Sequence, residues 1–159
     1  MAFLHLGTMS VEVGTILLAG NFGRIIQHPM RSKDQSYRRE IALEAYRLEK
    51  MPYKPSRLAS IFAFEGEAAL ARYRNIGSGT NNFSILYEIE PISSSAPMHV
   101  GCWLLGQLDA GRLDLVPQYW AGLRVDLPQA LDVSEPLKAS DGEAEIVIGG
   151  NCRVVRRLD

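Results

Sequence analysis

Gly142-Glu143-Ala144-Glu145-Ile146-Val147-Ile148-Gly149-Gly150, running on into Asn151-Cys152-Arg153-Val154-Val155, is the stretch on which the fold turns. Its β-branched run between glycines reads as a strand over 143–148. Gly149-Gly150-Asn151 reads as a hairpin turn into a second strand over 152–157. Side chains two apart share a face of a strand, so Glu143 and Glu145 stand side by side. Ile146 and Ile148 then face a core on the other side. Two like charges this close repel unless a cation or a ligand lies between them. Two readings stay open: an edge strand with a solvated polar face, or a carboxylate pair facing a cleft.

The rest of the chain sets bounds on that strand. With 159 residues it is expected to be a single domain over 1–159, long enough to bury a sizeable core. It is 47% hydrophobic and 22% charged, with a formal net charge of −1. No global basic surplus demands nucleic acid or an anionic membrane. Cys102 and Cys152 match no metal-ligand spacing and read as two small buried apolar residues in a reducing compartment. His5, His28 and His99 show no ligand spacing either, so no metal is expected. The N-terminus lacks a basic segment before its apolar run, which argues against a secretory leader. No run reaches the length of a membrane span. The expected location is the cytoplasm, or a target cell reached through a secretion system without a cleavable signal.

Upstream, Phe3–Thr8 reads as a short strand ending at Gly7. Residues 13–24 read as a brief strand or turn and then a loop, punctuated by Gly14, Gly20 and Gly23. A helix is expected over 33–50, with Ser32 or Asp34 as N-cap and Pro52 as its stop. Tyr37, Ile41, Ala45 and Leu48 form its apolar stripe, and Arg38, Arg39, Glu40, Glu44, Arg47 and Glu49 its solvated face. A strand over 59–64 leads to a helix over 68–74. Strands follow over 83–89 and 98–105, and Tyr119-Trp120-Ala121-Gly122 stands out in a weak pattern. Residues 128–133 read as a helical turn. Strands and helices do not alternate regularly, so the expected class is α+β with mainly antiparallel sheet.

The motifs fall in a familiar order. Leu4-His5-Leu6-Gly7-Thr8 resembles the His-Gly-Thr opening of the diphtheria-toxin-like ADP-ribosyltransferases. The continuation through Gly14-Thr15-Ile16-Leu17 and Gly20 is similar to small rifampin-modifying members. Ser60-Ile61-Phe62-Ala63-Phe64 with Ala68, Ala71 and Tyr73 looks like the central strand and helix of the family. Glu143-Ala144-Glu145 and Arg153-Val154-Val155 resemble its Glu-x-Glu strand and closing hairpin. Lys54-Pro55-Ser56-Arg57-Leu58 and Tyr119-Trp120 are also similar to small uncharacterised bacterial proteins of this fold. Phe62 stands where the His-Tyr-Glu class carries Tyr, and Glu-x-Glu belongs to the Arg-Ser-Glu class.

The resemblance implies an ADP-ribosyltransferase-like α+β fold with two or three helices around an NAD cleft. It implies cleavage of the nicotinamide–ribose bond of NAD, a co-substrate, and transfer of ADP-ribose to a protein or small-molecule acceptor. Glu145 would steady the oxocarbenium-like ribose, and Glu143 would orient or deprotonate the acceptor. His5, Gly7 and Thr8 would hold the adenosine ribose and the nicotinamide amide. Phe62 and Tyr73 would stack on the nicotinamide ring, and Ser60 would hold the ribose or Glu145. Arg24 and Arg57 are candidates for the pyrophosphate, because a guanidinium reads phosphate oxygens bidentately. If the chain is a bacterial toxin or effector, an immunity protein would be a partner. Alternatives are an RNA 2′-phosphotransferase or nucleic-acid modifier on the same fold, and a module that binds NAD without turnover. An α+β domain unrelated to NAD is the remaining alternative.

Overall fold

Residues 2–31, 34–76, 85–103, 110–122 and 144–158 are described by the computed structural model. They form seven strands and four α-helices, with mixed α and β elements as the sequence implied. In order these are β1 (Phe3–Gly7), β2 (Ile16–Leu17), α1 (Asn21–Ile26), α2 (Gln35–Lys50), β3 (Ile61–Ala63), α3 (Glu67–Ile76), β4 (Ile85–Pro91), β5 (Met98–Cys102), α4 (Val116–Ala121), β6 (Ala144–Ile148) and β7 (Cys152–Arg157). A 3-10 turn, Arg57–Ala59, leads into β3.

The strands make two antiparallel sheets, ordered β1-β4-β7-β2 and β3-β6-β5. Leu4 of β1 exchanges backbone hydrogen bonds of 3.0 and 2.7 Å with Phe64, so β1 links the sheets at one corner. Between the sheets lie Phe3, Ile61, Tyr87, Ile89, Ile146, Ile148 and Val154, all buried. Each Ile or Val side chain removed from water there contributes roughly 1.5–3 kcal/mol. Ile146 and Ile148 enter the core as their spacing required. Cys102 and Cys152 are both buried, and neither is in a disulfide.

A second core lies against the helices. Leu43 of α2, Leu70 of α3, and Tyr119 and Trp120 of α4 pack with Phe64 and Trp103. The Trp120 indole N–H donates to the Leu43 carbonyl at 2.8 Å and ties α4 to α2. Among the described residues no helix is long and apolar enough to cross a membrane.

Four sequence expectations change. First, β6 and β7 are not a paired hairpin. β6 pairs with β3 and β5, whereas β7 pairs with β4 and β2. The Gly149–Asn151 link carries the chain from one sheet to the other. Its Gly149 N–H donates to Pro97 O at 2.8 Å, and a Cβ at Gly149 would sit 2.8 Å from the Pro55 ring. That close seat draws the link over Pro55 and Pro97 instead of folding it back on itself. Second, β6 is central in its sheet, so Glu145 does not decorate an edge.

Third, α2 is turned relative to the apolar stripe. Ile41 and Leu48 are 38% and 60% exposed, while Glu40 is 0% exposed and Leu43 and Arg47 are buried. The reason is electrostatic: Glu40 meets a buried arginine, and Arg47 makes a fork to Glu44 and donates to the Pro52 and Lys54 carbonyls. The α2 stop agrees with expectation: Met51, ahead of Pro52, leaves helical geometry at φ −139. Fourth, residues 21–26 form helix α1, not a loop. The expected helical turn at 128–133 lies outside the described residues, as does Glu143.

Candidate functional site

Register brings the motif-bearing strands together. Phe62 pairs with Val147, His99 pairs with Val147 from the other side, and Gly101 pairs with Glu145. By strand alternation Phe62, Glu145, His99 and Gly101 share the face of the β3-β6-β5 sheet opposite Ile146 and Ile148. The helices α2 and α4 cover that face with Glu40, Tyr119 and Trp120.

Arg57 is the centre of this layer. It is buried, and its guanidinium carbon lies 4.7 Å from the Phe62 ring centroid and 4.8 Å from that of Tyr119. Its Nε and Nη2 donate to the two Glu40 oxygens at 2.8 and 3.2 Å. Its Nη1 donates to Glu145 Oε1 and to the Tyr119 hydroxyl. The Tyr119 hydroxyl in turn donates to Glu145 Oε1 at 2.8 Å. Burial works against charge on Arg57, but Glu145, Tyr119 and Glu40 outweigh it and hold its pKa well above the ordinary value. Burial pushes the Tyr119 hydroxyl well up, with Glu145 adding and Arg57 opposing, so it remains a donor. Arg39 reaches Glu40 Oε1 at 3.6 Å, and burial lowers its pKa against the pull of Glu40.

The cation required beside Glu145 is therefore supplied by the chain itself. Glu145 is 8% exposed and already hydrogen-bonded. Arg57, expected to face a pyrophosphate, makes four hydrogen bonds to three side chains instead.

The other expected residues fall in three places. His5 is half-buried on β1, and its Nδ1 lies 2.8 Å from the Phe62 carbonyl. Only Nδ1–H can satisfy a carbonyl, which leaves Nε2 as an acceptor. Burial lowers the His5 pKa and the carbonyl contact opposes it, so the ring is neutral near pH 7. Phe62 is half-buried, edge-on to Phe22 of α1 at 5.0 Å. Ser60 is buried and its hydroxyl donates to Ser56 O at 2.5 Å, not to Glu145. Gly7 lies against the Tyr87 ring, which a Cβ would meet at 3.0 Å. Thr8 and Arg24 are exposed, with Arg24 Nη2 3.5 Å from Asn21 Oδ1. Tyr73 does not meet Phe62: it packs on Phe64 at 5.0 Å and Trp103 at 5.1 Å. A recess lined by Ile92, Ser93, Ser95, Ala96, Pro97 and the Gly149–Asn151 link shares no residue with the charged layer.

Sequence reasoning missed Glu40 and undervalued Tyr119. The signal for Glu40 was the spacing of Glu40, Leu43 and Arg47, which places an acid on the same stripe as a leucine. For Tyr119 it was Gly101, whose missing side chain makes room for the tyrosine ring.

His99 adds a pH response. Its Nε2–H donates to the Tyr119 carbonyl at 3.0 Å, so its Nδ1 accepts from the Lys54 ammonium at 3.2 Å. Burial, reinforced by the Lys54 charge, lowers the His99 pKa from 6.5 to about 4. Between those values the unfolded chain takes the proton and the folded chain does not. Stability is therefore expected to be complete above pH 6.5 and to fall by about 3 kcal/mol as the pH drops to about 4. Urea unfolding across this range would show it, and a His99→Asn variant should lose that component of the slope.

No protein-family model matches the chain, and neither does any curated protein. Among the described residues no cluster of His, Cys, Asp and Glu has the arrangement of a metal site.

Proposed function

We propose that this chain is an NAD-dependent mono-ADP-ribosyltransferase, passing ADP-ribose to a protein or small-molecule acceptor. One observation carries the reading: three strands far apart in sequence bring His5, Phe62 and Glu145 together. The His5–Phe62 carbonyl contact of 2.8 Å and the Phe62–Val147 register fix that neighbourhood. The residues suit the co-substrate in type. His5 Nε2 can accept from a ribose hydroxyl, the half-buried Phe62 ring can stack on a flat heterocycle, and Glu145 brings a carboxylate on a central strand. In the reaction the nicotinamide–ribose bond breaks and its electron pair leaves with nicotinamide. Positive charge builds on the ribose, where a preorganised carboxylate stabilises it. An acceptor nucleophile then bonds to that carbon and gives up its proton.

A second reading has its own support. The pairing of Glu145 with Arg57 removes the free negative charge this chemistry uses. That favours a module that binds NAD without turning it over.

Nicotinamide release from NAD, with and without lysate, separates these readings. Release by the wild type that drops on the order of a hundredfold in Glu145→Gln is the transferase result. Saturable NAD binding with no release in either protein is the module result. Absence of both binding and release sinks the NAD reading.

A further inference from the structure

We propose that the outer face of α2 is a self-association surface, on which a second copy of this chain lays its own α2 antiparallel. The stripe Tyr37, Ile41, Ala45 and Leu48 is not what α2 turns inward. Glu40, Leu43 and Arg47 face the interior instead. At 3.6 residues per turn, the stripe lies about 120° round the helix from those three. Ile41 is 38% and Leu48 60% exposed, and Ala45 is exposed beside them. A helix that serves one core needs one apolar stripe, so a second stripe in water points to a partner.

Charge decides which partner. Arg38 and Glu49 are exposed and about three turns apart, so they border the stripe on the same flank near opposite ends. An antiparallel copy, related by a two-fold axis level with Leu43, sets Tyr37 against the partner's Leu48 and Ile41 against the partner's Ala45. In that register Arg38 falls beside the partner's Glu49, and symmetry makes the same pair again at the other end. A parallel copy would set Arg38 beside Arg38 and Glu49 beside Glu49. Glu49 meets Lys50 of its own chain at 2.7 Å, an exposed contact that costs little to exchange. On the other flank, Glu44 is held by Arg47 and Ser56, so its charge is already met.

Size makes the association weak. A 16-residue helix is about 24 Å long and about 10 Å wide, so its footprint falls short of the roughly 800 Å² per partner of a standard interface. The ends extend it. Met30, 87% exposed, precedes α2, and Tyr53, 73% exposed, follows it. Antiparallel pairing brings the Met30 end of one copy to the Tyr53 end of the other. A reversible dimer in the micromolar range is expected. The inference does not depend on the NAD reading.

Sedimentation equilibrium from micromolar to millimolar protein tests it. The wild-type mass is expected to rise from the chain's 17.6 kDa toward twice that value. Leu48→Glu should weaken the dimer at least tenfold. Arg38→Glu and Glu49→Arg should each weaken it at least threefold, since each leaves two like-charged pairs. Mixed in equal amounts, those two variants should form a dimer of near wild-type affinity, because the mixed dimer again pairs acid with base at both ends. All three positions are exposed, so melting temperatures should stay near that of the wild type. A wild type that remains monomeric overturns the proposal and leaves the stripe to a different partner. A dimer that Leu48→Glu does not weaken overturns it too, because another face then makes the contact. Weakening without recovery in the mixture overturns the antiparallel pairing, and the proposal with it.

Discussion

Arg57→Met is expected to lower the unfolding free energy by about 3–5 kcal/mol, the usual cost of breaking a buried ion pair by removing one partner. Methionine keeps most of the stem volume, so the loss reports charge more than cavity. The cause is what remains: Glu40, fully buried, and Glu145, 8% exposed, without the guanidinium that bridged them. Arg39 cannot replace it, because it reaches Glu40 only at 3.6 Å. Against a typical total stability of about 5–15 kcal/mol, such a loss leaves little margin. Arg57→Lys should lose less, about 1–3 kcal/mol, since it keeps the charge but cannot fork across Glu40. Replacing Arg57, Glu40 and Glu145 together by methionine should recover most of the loss, because buried ions exchanged for apolar groups are often neutral in stability. Urea midpoints for the series would decide the matter. A single Arg57→Met variant as stable as the wild type would show that the charged layer does not hold α2 and the sheet together.

Gly23→Ala is expected to destabilise the protein although the substitution sits inside a helix. Helix propensity alone favours alanine by up to about 1 kcal/mol. The packing argument runs the other way and is stronger. A Cβ on Gly23 would lie 1.9 Å from the Leu58 carbonyl oxygen and 2.7 Å from its carbon. Those are backbone atoms of the turn that carries Arg57, so no side chain can rotate away. Either α1 lifts off or the turn moves, at a cost of about 1–3 kcal/mol or more by analogy with overpacked cores. Lifting α1 also withdraws Phe22 from the edge of Phe62. Thermal melts compare the net effect directly. An unchanged or higher midpoint would mean that α1 is not seated on the turn.

These two residues show where the sequence was legible and where it was not. The class, the antiparallel sheets, the inward Ile146 and Ile148 and the long helix followed from periodicity and from Pro52. Periodicity sees hydrophobicity, so it misplaced α2, whose buried stripe carries Glu40 and Arg47. An acid buried by a partner on another element looks the same in sequence as an acid in water. Gly149-Gly150-Asn151 was recognised as a turn, but not as a passage between sheets. That outcome depends on Pro55 and Pro97, which lie far from it in sequence. Helix α1 was hidden by glycines that serve packing: Gly23 touches the turn, and Gly20 holds φ 87 at the helix start. The strands that bear His5, Phe62 and Glu145 were legible from their apolar runs and flanking glycines. The pairing of Arg57 with Glu145 was not, since 88 positions separate the two.

The passage between the sheets also constrains the order in which the chain can fold. β6 is the middle strand of one sheet, and β7 is an inner strand of the other. Both lie in residues 144–157, so β3 and β5 have no shared neighbour, and β2 no partner, until that segment arrives. A ribosome adding about 5–20 residues per second leaves β1 to β5 incomplete for several seconds. Among the described residues, the strand ladder already available in that interval is β1 with β4. Non-local pairings such as Leu17 with Cys152 close last, which makes folding slow and leaves open strand edges exposed meanwhile. The two short strands flanking Gly149–Asn151 thus act as a clasp that shuts both sheets at once.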